Sequence, residues 1–148
     1  MEILFRGKPD IDQEWLGNDE YMQSLVGVNY KDGFVYGQLV YSGKQPYIVG
    51  EVVESTDEWI ALEYWIPVKP ETVGQYTGLK DKGGVKIFEG DLFQDEYGVV
   101  YDIRYCLEGG KYVGYSLQEG EIGLEDVIDA NMELIGNIHD NPELLEVA

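Results

Sequence analysis

From Asn29 onward the chain rarely runs long without a glycine or a proline, and this punctuation constrains the fold more than any other feature. Between the breaks lie short runs that alternate apolar and polar residues, such as "FVYGQLVYSG" (34–43), "VKIFEGDLF" (85–93) and "YDIRYCLEGGKYVGYSL" (101–117). Period-two alternation places successive side chains on opposite faces of a strand. Turn residues recurring at roughly 8–12-residue spacing favour an antiparallel sandwich or small barrel over a parallel α/β sheet. The expected fold is therefore mostly β (β-rich α+β): a small antiparallel barrel or sandwich with short helical turns and a short C-terminal helix.

Along the chain, "EILFRGK" predicts a short strand ending at Gly7, and "FVYGQLVYSG" predicts a longer one. "GKQPYIVGEVVES" predicts a strand after a turn at Gly43 to Pro46, and "EWIALEYWIPVKP" a third strand ending where Pro67 and Pro70 forbid regular pairing. The stretch "EWIALEYW" fits either strand or helix, because its β-branched and aromatic residues oppose its helical spacing. Glu89-Gly90-Asp91 marks a bend or bulge within "VKIFEGDLF". Gly109-Gly110 predicts a hairpin, with Val99, Tyr101, Ile103, Tyr105 and Leu107 on the core face and Val100, Asp102, Arg104 and Cys106 on the other. A helical turn is expected at Leu124 to Val127, then a last strand in "MELIGNI". Asn141 as cap and Pro142 at the first helical position predict a short terminal helix. A further helical turn is expected near Asp19 to Leu25. The 148 residues suit one domain, or two β lobes of about 1–70 and 71–148 sharing a core.

Charge narrows the function classes. Ten Lys and Arg against 29 Asp and Glu give a formal net charge of −19, and no Lys or Arg follows Lys111. Such a surface repels phosphate backbones and disfavours direct nucleic-acid binding. The bland account is a soluble, self-repelling surface; the sharper one is an acidic protein that occupies the groove of a basic host protein. One cysteine, Cys106, excludes an intrachain disulfide and suits a reducing cytoplasm. No apolar run approaches the roughly 20 residues that span a bilayer, and "MEILFRGKPD" lacks the apolar core of a signal peptide. These features predict a cytoplasmic protein without membrane attachment.

Catalytic patterns are weak. A phosphate-binding loop needs G-x-x-x-x-G-K-[ST], and Gly78 and Gly83 have that interval. Gly84 and Val85, however, stand where Lys and Ser or Thr belong. His139 and Cys106 are the only residues of their types, too few for a His/Cys zinc cluster or a convincing nucleophile–base pair. Carboxylate pairs carry no information in a chain with 29 acids. No cofactor, metal ligand or catalytic residue is expected.

The stretch "TVGQYTGLKDKGGVKIFEGD" (72–91) concentrates five glycines, three lysines and two aromatics. Lys80, Asp81 and Lys82 sit at a turn, with Gly83 and Gly84 free to take positive φ. A strand, a glycine bend and a second apolar strand form an SH3-like turn pattern, by analogy only. All of it reads as turn chemistry that specifies the fold. The functional alternative is a partner-binding surface of Gln75, Tyr76, Lys80, Asp81 and Lys82, the densest basic cluster in an acidic chain.

The same region, "VKPETVGQYTGLKDKGGVKIFEGDLF", together with "FRGK", "FVYGQL" and "IGNIHDNPELL", resembles the YopX-like proteins encoded by bacteriophages and prophages. The segment 9–30 is longer than the resemblance leads one to expect and is read as an insertion. The resemblance implies a small phage or prophage protein, cytoplasmic in its bacterial host, and self-association as a homo-oligomer. It implies no reaction and transfers no catalytic residue. The leading expectation is a non-enzymatic accessory protein acting through protein–protein contacts or self-assembly. The alternatives are an acidic, DNA-mimicking inhibitor of a host nucleic-acid enzyme, a nucleic-acid-binding protein of phage replication or recombination using Lys80, Lys82 and Lys86, and a hydrolase with a carboxylate-bound metal.

Overall fold

The computed structural model describes residues 2–10 and 29–145. The expected helical turn at 19–25 and residues 11–28 of the expected insertion lie outside them. The chain divides into two compact units, an N-terminal one of residues 2–75 and a C-terminal one of residues 76–148.

In the N-terminal unit, β1 (Phe5–Gly7), β2 (Tyr30–Lys31), β3 (Phe34–Ser42), β4 (Gln45–Val49), β5 (Val52–Ser55), β6 (Ile60–Leu62) and β7 (Trp65–Pro67) follow in order. A 3-10 turn, Pro70–Thr72, comes next, and the first residues of β8 (Gly74–Lys80) end the unit. Strands β7, β4, β3, β1 and β8 are hydrogen-bonded neighbours in that order, and every pairing is antiparallel. Val35, Ile48, Ile66 and Val68 form the buried core, with Phe5, Leu39, Tyr64 and Val73 packed against them. Gly50 ends β4, so the single strand expected after the Gly43–Pro46 turn becomes two. Strand β5 instead pairs with β6 as a separate two-stranded ribbon. "EWIALEYW" is not helical, in line with its β-branched and aromatic content. The expected single strand is broken at Glu63 and Tyr64 into β6 and β7, which pair with different neighbours. Pro67 still sits in register opposite Tyr47.

The motif "FRGK" is explained by this packing. The Arg6 guanidinium lies 4.2 Å from the centre of the Phe34 ring and the Lys8 ammonium 4.5 Å from it. Gly7 abuts Val68 so closely that an added Cβ would stand 2.9 Å from the valine side chain. The Lys8 amide donates to Thr72 Oγ1 at 2.9 Å, and that hydroxyl donates to the Lys69 carbonyl at 2.7 Å. Two stretches some 60 residues apart are thus joined.

In the C-terminal unit β8 continues, Tyr76 pairing with Phe88 and Lys80 with Lys86 of β9 (Lys86–Phe88). Strands β10 (Asp91–Gln94), β11 (Val100–Cys106), β12 (Lys111–Ser116), β13 (Gly120–Gly123) and β14 (Glu133–Asn137) form an antiparallel sheet in the order β13-β12-β11-β10-β14. Helix α1 (Leu124–Asp129) covers one face. Its Leu124 and Val127 pack with Ile87, Phe93 and Ile103, and Gly114 leaves room for Val127, which would stand 3.0 Å from an added Cβ. The expected terminal helix is a single 3-10 turn, Pro142–Leu145. Asn141 Oδ1 accepts from the Asn137 amide at 3.3 Å, tying this turn to β14.

The bend at Glu89-Gly90-Asp91 is real: Gly90 has φ 93°, and buried Asp91 accepts from the Phe88 amide at 2.8 Å. Asp91 pairs with Asn137, and the Ile138 amide donates to the Gly90 carbonyl at 2.9 Å. "FEGD" and "IGNIHD" therefore meet as one folding unit. The expected β-rich α+β fold is observed. Among the described residues the sheets are open rather than closed into a barrel.

Candidate functional site

The lysine-rich turn is built by Asp81. Its Oδ1 accepts from the amides of Gly83 and Val85, both at 2.9 Å, while its own amide donates to the Val85 carbonyl and Gly84 donates back to the Asp81 carbonyl. The same four bonds recur at Asp95: Oδ1 accepts from Tyr97 and Val99, the Asp95 amide donates to Val99, and Gly98 donates to Asp95. Gly84 and Gly98 have φ of 83° and 84°, the left-handed conformation that glycine adopts freely. "DKGGV" and "DEYGV" are two copies of one turn, an identity legible in the sequence as D-x-x-G-V.

The predicted partner-binding residues do not share one surface. Tyr76 is buried, its ring 5.6 Å from that of Phe88 with the Lys86 ammonium 5.5 Å from its centre. Gln75, partly buried, pairs in register with Phe5 in the N-terminal unit. Lys80 is exposed, and exposed Lys82 spends its ammonium on the Asp129 carbonyl at 2.9 Å. Asp81 is committed to the turn. The structure brings Lys80, Asp81 and Lys82 together and withdraws the aromatic ring.

The second face of the C-terminal sheet holds a groove of about 760 Å³ that the motif search missed, a size typical of ligand pockets. Val100, Asp102, Arg104 and Tyr115 form its floor, and Leu117, Ile135, Leu144 and Leu145 its apolar walls. Alternation along β11 puts Val100, Asp102 and Arg104 on this face, and register puts Tyr115 opposite Asp102. A β-bulge between Leu92 and Phe93 pairs Leu92 with Gly136 but Phe93 with Leu134, leaving Ile135 as the extra residue beside the groove. The core assignment on the other face holds for Tyr101 and Ile103 and lapses toward the hairpin, where Tyr105 and Leu107 are exposed.

At the floor, Arg104 Nε donates to Asp102 Oδ2 at 2.8 Å and Nη2 to Oδ1 at 2.9 Å, a bidentate pair. The guanidinium lies 4.1 Å from the centre of the Tyr115 ring. The hydrogen bond to Asp102 holds the Arg104 pKa above its ordinary value, with burial opposing and the charges of Asp102, Tyr115 and Glu121 adding to it. Asp102 is buried and Arg104 half exposed, so the floor presents fixed donors with little net charge. One signal was available: Asp102 and Arg104 two apart on the face opposite Ile103. Among the described residues no three His, Cys, Asp or Glu side chains group as a metal site.

A different surface marks the N-terminal unit. On the β5–β6 ribbon, Val52, Val53, Trp59 and Ile60 are between 52% and 64% exposed, and nearby Trp65 is 49% exposed with its ring against Tyr47.

Fold and sites define a β-rich protein of two antiparallel units, one with a neutral-floored groove and one with an apolar ribbon. A family model described as "YopX protein" matches residues 5–146. The chain belongs to the YopX family. The crystal structure of protein EF1440 from Enterococcus faecalis is similar to it at 23% sequence identity and a TM-score of 0.49, over 98% of this chain and 99% of that one. Among curated proteins there is no match. No described helix is long and apolar enough to cross a membrane.

Proposed function

We propose that this chain is a non-enzymatic accessory protein of a phage or prophage, cytoplasmic in its bacterial host, that works by protein–protein contact and forms a homo-oligomer. The observation that carries the proposal is the β5–β6 ribbon. Its exposed Val52, Val53, Trp59 and Ile60 are large apolar side chains on a narrow two-stranded element. Large apolar side chains exposed together on one element mark interaction sites, and Trp is a residue that interfaces favour. The phage setting rests on family membership together with the phage and prophage proteins that the motifs resemble.

Light scattering on purified protein tests this. Wild type is expected to run as an oligomer at high concentration. Trp59→Ser combined with Ile60→Ser, both at exposed positions, is expected to give a folded monomer. A wild-type monomer at all concentrations, or an oligomer indifferent to the double substitution, would sink the assembly reading.

A further inference from the structure

We propose that the groove of the C-terminal unit docks an extended, apolar peptide segment of a partner protein, flanked on both sides by Lys or Arg. The proposal deepens the protein–protein reading and rests on it, but it concerns a surface separate from the ribbon.

Three features select this occupant. The floor is close to neutral, because Asp102 takes two donor hydrogens of Arg104 and balances its charge. The Nη1 hydrogens of Arg104 have no partner among the described residues and suit an uncharged acceptor such as a peptide carbonyl. The walls are apolar. Leu117 at the rim is 82% exposed, and Leu144, Leu145 and Ile135 stand across from it, a lining that gains by covering apolar side chains.

The rim selects against anions. Glu121 lies opposite Tyr115 in register and Glu133 opposite Gln94, while Glu119 and Glu143 sit beside Gln118 and Leu144, which line the groove. All four are exposed. With a chain charge of −19 behind them, phosphates and acidic peptides are repelled, and cationic flanks are drawn in. An apolar centre for the walls, a carbonyl for Arg104 and basic ends for the rim together describe a basic-flanked peptide.

Selection of displayed random short peptides on the intact chain tests the proposal. The expected consensus is an apolar centre with Lys or Arg on both sides. Binding of the selected peptide, measured by fluorescence anisotropy, is expected to weaken as salt rises. It should weaken tenfold or more in Leu117→Asp, where a charge would be buried against apolar groups, and severalfold in Arg104→Gln. Leu117 lies in the exposed turn between β12 and β13, so Leu117→Asp leaves the fold intact. No enrichment, an acidic consensus, or a peptide indifferent to both substitutions would overturn the proposal. So would light scattering in which Leu117→Asp dissociates the oligomer, since the occupant would then be a second copy. A wild type that stays monomeric, or an oligomer indifferent to the ribbon substitutions, with peptide binding intact would defeat the assembly reading alone.

Discussion

The two units use the same material, short antiparallel strands and tight turns, yet finish their sheets differently. In the C-terminal unit, α1 covers one face with Leu124 and Val127, and the Pro142–Leu145 turn lies along the other, leaving a bounded groove. In the N-terminal unit, β5 and β6 leave the main sheet as a two-stranded ribbon with every β5 residue exposed. An isolated two-stranded ribbon is marginal on its own, so its apolar side chains add little to the fold that carries them. A large apolar residue therefore means stability in one unit and availability in the other.

Paired truncations test that contrast most strongly. Phe93→Ala removes a ring that is 1% exposed in the C-terminal core and is expected to cost about 3–5 kcal/mol in urea denaturation. Trp59→Ala deletes a larger side chain that is 52% exposed on the ribbon and is expected to cost no more than about 0.5 kcal/mol. Comparable losses from both would place the ribbon inside a core and erase the contrast.

Most of the strands were legible because period-two alternation and turn residues act locally. Gly90 bends where expected, Leu124 opens the predicted helix, and Phe34 to Ser42 form the predicted strand. The groove was not, because its parts meet only through pairing. Ile135 reaches it through a bulge, Tyr115 through register with Asp102, and Leu144 through the folding back of the C-terminal turn. Tyr76 shows the reverse error. Its place before the lysine turn suggested a partner-binding position, whereas pairing with Phe88 buries it. The motifs that most resemble a family, "FRGK", "DKGGV", "FEGD" and "IGNIHD", are accounted for by turn bonds and close packing. They report how the chain folds more than what it binds.

Turn chemistry offers a finer contrast. The C-terminal unit closes two turns with carboxylates, Asp81 and Asp95, each accepting two backbone amides at 2.9 Å. The ribbon closes its turn with a hydroxyl, Thr56 Oγ1, accepting from Glu58 and Trp59 at 3.1 Å. A charged acceptor makes the stronger bond. Asp81→Ala and Asp95→Ala are expected to cost about 1–2 kcal/mol each and Thr56→Ala about 0.5 kcal/mol by denaturant titration. An Asp81→Ala protein of unchanged stability would remove the turn role and return Asp81 to the pool of binding residues.

The smallest expected effect is alkaline. Burial, the leading cause in each case, raises the pKa of Tyr64 in the N-terminal unit and of Tyr101 and Tyr112 in the C-terminal unit; nearby carboxylate charge adds to it for all three. The Tyr64 hydroxyl also donates to the Tyr36 carbonyl at 2.6 Å, and its ring sits where an added Cβ on Gly50 would stand 2.6 Å away. An unfolded tyrosine ionises near its ordinary value of about 10, while these three hold their protons to higher pH in the folded chain. Their contribution to stability is therefore complete below about pH 10 and is lost as pH rises through the raised values. Tyrosinate absorbance should show late-titrating tyrosines that merge with the rest once the chain is denatured. Tyr64→Phe should remove one of them at a cost of about 0.5–1.5 kcal/mol for the lost hydrogen bond, leaving the C-terminal pair in place. If Tyr64→Phe abolished the whole late phase, the two units would be titrating as one cooperative body, and the contrast between them would not extend to their stability.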